Sequence, residues 1–509
     1  MRTLPPLATK DRVFGAVLVV SCGIAKAGAL AVAAFATRAA FGALHAGTPL
    51  PLETVLELAL AGVAAAVCFF LSRRQAEALG QSYAVSLRRT LYEAIASLPK
   101  SRHDERRLGA LSLRFVGDLS AARLWFGRGL PNVLSALVIL PGAALILFSL
   151  DTMLATLGLI PLIVSLIVMV AVAWQLEKRH RKLRARRANI AIAMIERIAV
   201  APELDLMGRT DKELRALDTK GQDLAEKAVV RRGRTVGLKA VLQVGLAISG
   251  LMMLWAAGQF ATEPATVAAC LSVLALLALP LQDLGAAWDQ YCAWRVAREK
   301  AMRLLKEPAI KRRRAKPSEE PVGVSIIGQI DGESVSIAAN PASATALTGT
   351  WADTAARMIA GLDAPQDVEL TFNGRRDRPN VAFIGDNHVG LQGSLRRSAT
   401  LSSSRRPKDA IVLKTLKKFG LSDLLDHPLG LDQRLAEHGK GLSVSQTLRL
   451  DLARAILSKA DVIVISSARW QADRAQEPLL ASILKASGAT VILTEPGCQA
   501  DPAKRRKVH

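Results

Sequence analysis

The sequence predicts a membrane α-helical domain of six spans followed by a smaller α/β domain. Three observations carry this: six apolar stretches long enough to cross a bilayer, Lys and Arg gathered between those stretches, and a switch after Val322 to short apolar strands alternating with helices. Half of the 509 residues are hydrophobic, so much of the chain is expected to face lipid. A formal charge of +23 would suggest nucleic-acid binding in a soluble protein. Here the basic residues fall between the apolar segments and not within them, the distribution that sets membrane orientation and lies against anionic headgroups. The partner this implies is a lipid bilayer, not nucleic acid.

The expected spans are roughly Val13–Thr37, Thr54–Leu71, Leu130–Phe148, Met153–Trp174, Ala240–Phe260 and Thr266–Trp288. Each can cover about 30 Å of hydrocarbon, which takes about 20 helical residues. Met1–Arg12 and the apolar run after it have the outline of a signal peptide, but the run is too long and lacks a clear small-residue cleavage site, so it reads as the first span. The connections 43–53, 149–152 and 261–264 contain neither Lys nor Arg, whereas 72–129 and 177–239 are long, helical in pattern and rich in Arg. This asymmetry places both termini and both long connections in the cytoplasm, as expected of a protein of a bacterial-type inner membrane. Cys22, Cys68, Cys270, Cys292 and Cys498 show no metal-ligand spacing, so neither a metal site nor a disulfide framework is indicated.

Lys26 is the one charge near the middle of a span, among the small residues of Gly23–Ala29. A central Lys costs roughly 2.5–3.5 kcal/mol on insertion scales and so tends to face a cavity, a partner or a water path. Lys26 is a candidate pathway residue, with structural pairing or snorkelling as the alternative. Gln282 and Asp283 read as the ordinary cytoplasmic exit of the last span. Lys306–Glu320, basic, punctuated by proline and ending acidic, reads as a linker.

In the C-terminal part, Leu442-Ser-Val-Ser-Gln446 precedes a helical stretch, Thr447–Ser458, and then the apolar strand Ala460–Ser467. In this order and spacing they resemble the signature motif, following helix and Walker B strand of an ATP-binding cassette. The strand Ala344–Gly349 and helix Ala352–Leu362 likewise resemble the elements that flank a phosphate-binding loop. Taken whole, the chain resembles a type I ABC exporter half-transporter: a six-helix exporter domain (1–305), a linker (306–320), an α/β P-loop-like nucleotide-binding domain with degenerate motifs (321–500) and a basic tail (501–509). Leu98–Asp104, followed by Gly109–Arg114 and Asp118, resembles the family's first coupling segment. Glu196–Arg209 sits where the second would be.

The resemblance also locates the motif positions. Walker A falls on Gly349, Ala352, Asp353 and Thr354, with Ala352 at the lysine position; the Q-loop on Asp386; Walker B on Ser466 and Ser467, where the magnesium-binding Asp and the general-base Glu would stand; the D-loop on Asp473; and the switch histidine on Glu495. A phosphate loop needs glycines that let backbone N–H groups curl around the phosphates, and a Lys that reaches them. A serine hydroxyl carries no charge at pH 7. No aromatic residue occurs from Val322 to Thr350 to stack on adenine.

Ser443 and Gln446 keep their signature identities and could act on ATP held by a partner; they could equally be an ordinary helix cap. The expectation is therefore a chain that is not itself an ATPase, with ATP and Mg on an active half-transporter partner in a heterodimer. The alternatives are a transport-incompetent adaptor or regulatory subunit with this fold, and an ATP-hydrolysing homodimer. The transported substrate is not legible in the spans.

Overall fold

The computed structural model describes residues 3–104, 117–310, 317–436 and 439–496. The coupling stretch Gly109–Arg114, part of the linker (311–316), Cys498 and the basic tail 501–509 lie outside them. The chain divides into two compact units: Met1–Ala96 with Glu105–Glu307, and Ser97–Asp104 with Pro308–His509.

In the first unit, α1 (Lys10–His45) and α2 (Leu52–Ala96) are followed by the short α3 (Lys100–Asp104), which groups with the second unit. Then come α4 (Leu119–Leu124), a π-helical turn (Trp125–Gly129), α5 (Leu130–Leu150), α6 (Thr152–Ala199), α7 (Ala201–Leu206), α8 (Thr210–Phe260), α9 (Pro264–Leu276) and α10 (Ala278–Leu305). Among the described residues, six helical stretches are long and apolar enough to cross a membrane; five contain the corresponding expected span whole, and the fourth, Thr152–Val172, ends two residues short of the expected Trp174. The helices themselves run well past the spans. At 1.5 Å per residue, the 48 residues of α6 and the 51 of α8 reach about 70 Å, more than twice the hydrocarbon thickness. The Arg-rich connections are therefore mostly continuations of the spanning helices.

One core joins α1, α5, α6, α8 and α9 through Ala34, Ala143, Leu147, Leu154, Met253 and Val273. Large apolar side chains such as Leu60, Phe70, Leu145, Ile167 and Leu251 are exposed, as lipid or a neighbouring helix would require. Small residues set the close crossings. A Cβ on Gly80 of α2 would lie 2.6 Å from the carbonyl oxygen of Arg123 and from Cα of Gly127, and one on Gly245 of α8 would lie 1.9 Å from the Ser165 hydroxyl. Where α5 turns into α6, the Asp151 side chain accepts the N–H of Leu154 at 2.8 Å and caps the new helix.

The second unit contains an antiparallel sheet of order β2-β1-β4 and a parallel sheet of order β3-β9-β8-β5. The strands are β1 (Val324–Ile330), β2 (Glu333–Ala339), β3 (Ala344–Gly349), β4 (Val368–Phe372), β5 (Val381–Ile384), β8 (Val462–Ser466) and β9 (Thr490–Pro496), with the two-residue β6 (Gly393–Ser394) and β7 (Arg434–Leu435) paired apart. Strand β8 is buried along its whole length. Its alternation divides the domain: Val462 and Val464 enter the core shared with β1 and the helix after β3, while Ile463 and Ile465 enter the core shared with the helix Val444–Leu457.

Candidate functional site

The C-terminal ends of the parallel strands, Gly349, Pro496, Ser466 and Ile384, lie along one edge of the sheet, where α/β proteins bind ligands. A cavity of about 550 Å³ opens there, lined by Asp353, Arg357, Asp386, His388, Ser466 and Thr494 among others, with Lys100 and Asp104 from α3. Three of the motif positions, Asp353, Asp386 and Ser466, thus meet in one place. The Ser466 hydroxyl donates to the Asp386 carboxylate, joining the Q-loop and Walker B positions directly. Ser467 is half-buried beside them, its N–H donating to the Thr494 hydroxyl at 3.3 Å. Glu495 is exposed at the end of β9 and is not among the lining residues.

At the Walker A position only Thr350 and Trp351 separate β3 from the helix α11 (Ala352–Ile359). Gly349 has φ of 134°, and a Cβ there would sit 2.6 Å from the Trp351 indole nitrogen, so the ring lies against this glycine. Ala352, at the lysine position, is 2% exposed and packs in the core. The Thr354 hydroxyl donates to Asp331 at 2.8 Å and accepts from Arg357 at 3.2 Å. This connection offers few of the backbone donors with which a glycine-rich loop surrounds a triphosphate.

The signature residues do not line the cavity. Ser443 caps the helix α15 (Val444–Leu457; α12–α14 being Leu395–Ala399, Asp409–Lys418 and Ser422–Leu425). Its hydroxyl accepts the Gln446 N–H at 3.0 Å, while the Gln446 side chain accepts the Ser443 N–H at 2.9 Å. This reciprocal box employs both side chains locally. The D-loop residue Asp473 is buried in a two-bond pair with Arg449 of α15, at 2.5 and 3.1 Å. The hydrogen bond from Arg449 holds the Asp473 carboxyl below the usual carboxylate range, helped by Ser445 and opposed by burial.

Sequence reasoning missed three arrangements. First, the buried Asp451 carboxylate takes His388 Nδ1 at 2.9 Å, Arg454 at 3.0 Å and Arg469 at 3.0 Å. Arg454 also donates to the Ser398 and Val389 carbonyls at 2.8 and 2.9 Å. Burial pushes the Arg454 guanidinium below its ordinary value, and Asp451 opposes that. The visible signal was Asp451 and Arg454 three residues apart on one helix.

Second, the expected coupling segment has a defined receptor. Asp363 Oδ1 accepts both the N–H and the hydroxyl of Ser101, at 3.0 and 3.1 Å, and Oδ2 accepts from Arg357 at 2.9 Å; the Lys100 N–H donates to the Leu362 carbonyl at 2.9 Å. The short α7, in the second coupling position, leaves Leu206 90% and Met207 69% exposed.

Third, Lys26, the expected pathway candidate, lines a cavity of about 180 Å³ in the membrane unit, and what the sequence did not show is that Asn132, Asp283 and Arg73 line it too. Asp283, read from sequence as an ordinary helix exit, accepts from Arg73 at 2.7 Å.

Residues 51–279 match the family profile described as the ABC transporter transmembrane region. Over that stretch the chain belongs to the ABC transporter transmembrane family. It is similar to an "Uncharacterized ABC transporter ATP-binding protein" of Haemophilus influenzae, 23% identical over 78% of this chain and 76% of that protein. It is also similar to the "Uncharacterized ABC transporter ATP-binding protein YknV" of Bacillus subtilis, at 22% over 82% and 73%. An "ATP-dependent lipid A-core flippase" of Alcanivorax borkumensis matches at 22% over 78% and 73%. A structure of a bacterial Atm1-family ABC exporter with ATP bound superposes with a TM-score of 0.80 at 17% identity, covering 97% of this chain and 92% of that one. The chain thus has the exporter fold and is an integral membrane protein with six spans.

These relatives correct one expectation. They are named ATP-binding proteins or an ATP-dependent flippase and match 78–82% of this chain, which points to ATPase activity and not to a non-enzyme. The expectation of a non-enzyme rested on side chains at positions located by spacing alone, and it does not stand.

Proposed function

We propose that this half-exporter works in a heterodimer. Its six spans supply half of the translocation path, and its cassette couples that path to ATP binding and hydrolysis in the assembled exporter. The observation that carries the heteromeric reading is the two-residue Thr350–Trp351 connection after β3. Two such connections facing each other would give a homodimer without a glycine-rich phosphate loop; a partner with that loop supplies one. ATP and Mg are then held by the partner's Walker motifs against the N-terminus of α15, where the amides following Ser443 favour negative charge. The exposed Leu206 and Met207 give the second coupling segment an apolar tip suited to a groove on the partner's cassette.

The same reading keeps the boundaries at 305 and 320 and places both termini in the cytoplasm, since the three short connections carry no Lys or Arg. A tag on this chain, purification from native membranes and identification of the bound subunit tests the proposal, with ATPase turnover measured on the recovered complex and on the chain expressed alone. A second half-transporter with a complete phosphate loop, and turnover per chain far higher in the complex, is the expected result. Equal turnover by the chain alone removes the heteromeric reading.

A further inference from the structure

The membrane cavity around Lys26 has a charge balance that specifies a ligand. Arg73 reaches it from α2, donating to the Asn132 side-chain oxygen and to Asp283, each at 2.7 Å. Its charge is therefore matched by Asp283, and Asn132, whose oxygen is used, keeps its amide N–H as a further donor. Among the described residues Lys26 makes no salt bridge and no hydrogen bond, and Asp283, the one carboxylate of the cavity, is bonded to Arg73; the Lys26 ammonium lies 5.6 Å from the centroid of the Phe69 ring, over which Arg73 also sits at 5.3 Å. Two cations and one carboxylate leave a single positive charge in surplus. Around it the walls are apolar or small: Phe69, Pro131, Ala136, Ile139, Leu279 and Pro280. A surplus cation in hydrocarbon is stabilised by an anion brought to it, and the low dielectric strengthens that attraction.

We propose that this cavity receives the anionic group of the transported molecule, a single carboxylate or phosphate monoester carried on an apolar or aromatic body. Lys26 binds the charge, Asn132 donates to it, and the face of Phe69 packs against the body. Arg73 and Asp283 are positioning residues: the pair fixes Asn132 and limits the surplus to one charge. The inference rests on the exporter reading, which makes this cavity part of a path.

The test uses the complete exporter in nanodiscs and ligand-observed NMR with four matched probes: benzoate, phenyl phosphate, benzamide and benzylamine. The expected result is saturable binding of benzoate or phenyl phosphate, with benzamide and benzylamine weaker by about tenfold or more. Lys26→Met, which suits the span at least as well as the native residue, loses that preference, and Lys26→Arg keeps it. Asp283→Asn raises the surplus to two charges and moves the preference from benzoate towards phenyl phosphate. Equal binding of all four probes, a preference for benzylamine, or a charge preference unchanged in Lys26→Met overturns the proposal. ATP turnover of the same preparation is read separately: turnover without any charge preference removes this site alone, while charge preference without turnover upholds the site and removes the exporter reading.

Discussion

Asp451→Asn is the sharpest probe of what organises the cassette. The native carboxylate is buried and meets His388, Arg454 and Arg469 at 2.9, 3.0 and 3.0 Å. Asparagine keeps the shape and one acceptor oxygen but removes the only negative charge in the group. Two guanidiniums then share a buried site without a counter-ion, and breaking a buried pair in this way costs about 3–5 kcal/mol. Since 1.4 kcal/mol is tenfold, amide exchange through local opening should accelerate by about two orders of magnitude or more. The measurement is hydrogen exchange with mass spectrometry on the full transporter in nanodiscs, following peptides over 444–457 and 462–466, with peptides over 152–172 as an internal reference. Acceleration confined to the cassette is expected. A change below about fivefold would refute the argument that this carboxylate balances a buried cationic pair. Adding Arg469→Met to the variant should recover part of the loss, because it removes one of the uncompensated charges.

Three other outcomes follow from the same geometry. Asp363→Ala removes three hydrogen bonds to Ser101 and Arg357, so exchange at residues 97–104 should rise and ATP-driven transport by the assembled exporter should fall, while unchanged protection would contradict the docking described. The Arg449–Asp473 pair depresses the Asp473 pKa, so its stabilisation is complete above the ordinary carboxylate value of about 3.9 and disappears as pH falls through the lower native value. The Tm difference between wild type and Arg449→Met should therefore be larger at pH 7 than at pH 3, and a constant difference would dissociate the pair from stability. Gly245→Val forces a side chain onto Ser165 and should cost at least about 1–3 kcal/mol, seen as a lower Tm that Ser165→Gly partly restores.

The spans and the strands at Ala344–Gly349, Val381–Ile384 and Ala460–Ser467 could be read from the sequence because they rest on periodicity and length, whereas the order of the strands in the sheets could not. Val381–Ile384 is apolar and bounded by polar residues, and it is a strand with those limits. What could not be read depends on which distant groups fold brings together. Arg73 sits just past the apolar run of the second span and looked like the start of a cytoplasmic loop; only the continuation of α2 and its contact with Asp283, 210 residues away, put it in the cavity. Asp363 follows an ordinary helix end, and nothing local announces that it receives Ser101. Ser443 and Gln446 were legible as a signature and equally as an ordinary helix cap, and in the folded chain they form a reciprocal capping box. Motif positions could be located by spacing, but the ATPase activity to which the relatives' names point could not be inferred from them.

The intact mass of the exporter released from native membranes in mild detergent tests the heteromeric claim most directly. The account predicts one copy of this 54.4 kDa chain together with one different half-transporter. A complex of two identical copies that turns over ATP at the rate of the native exporter would contradict it.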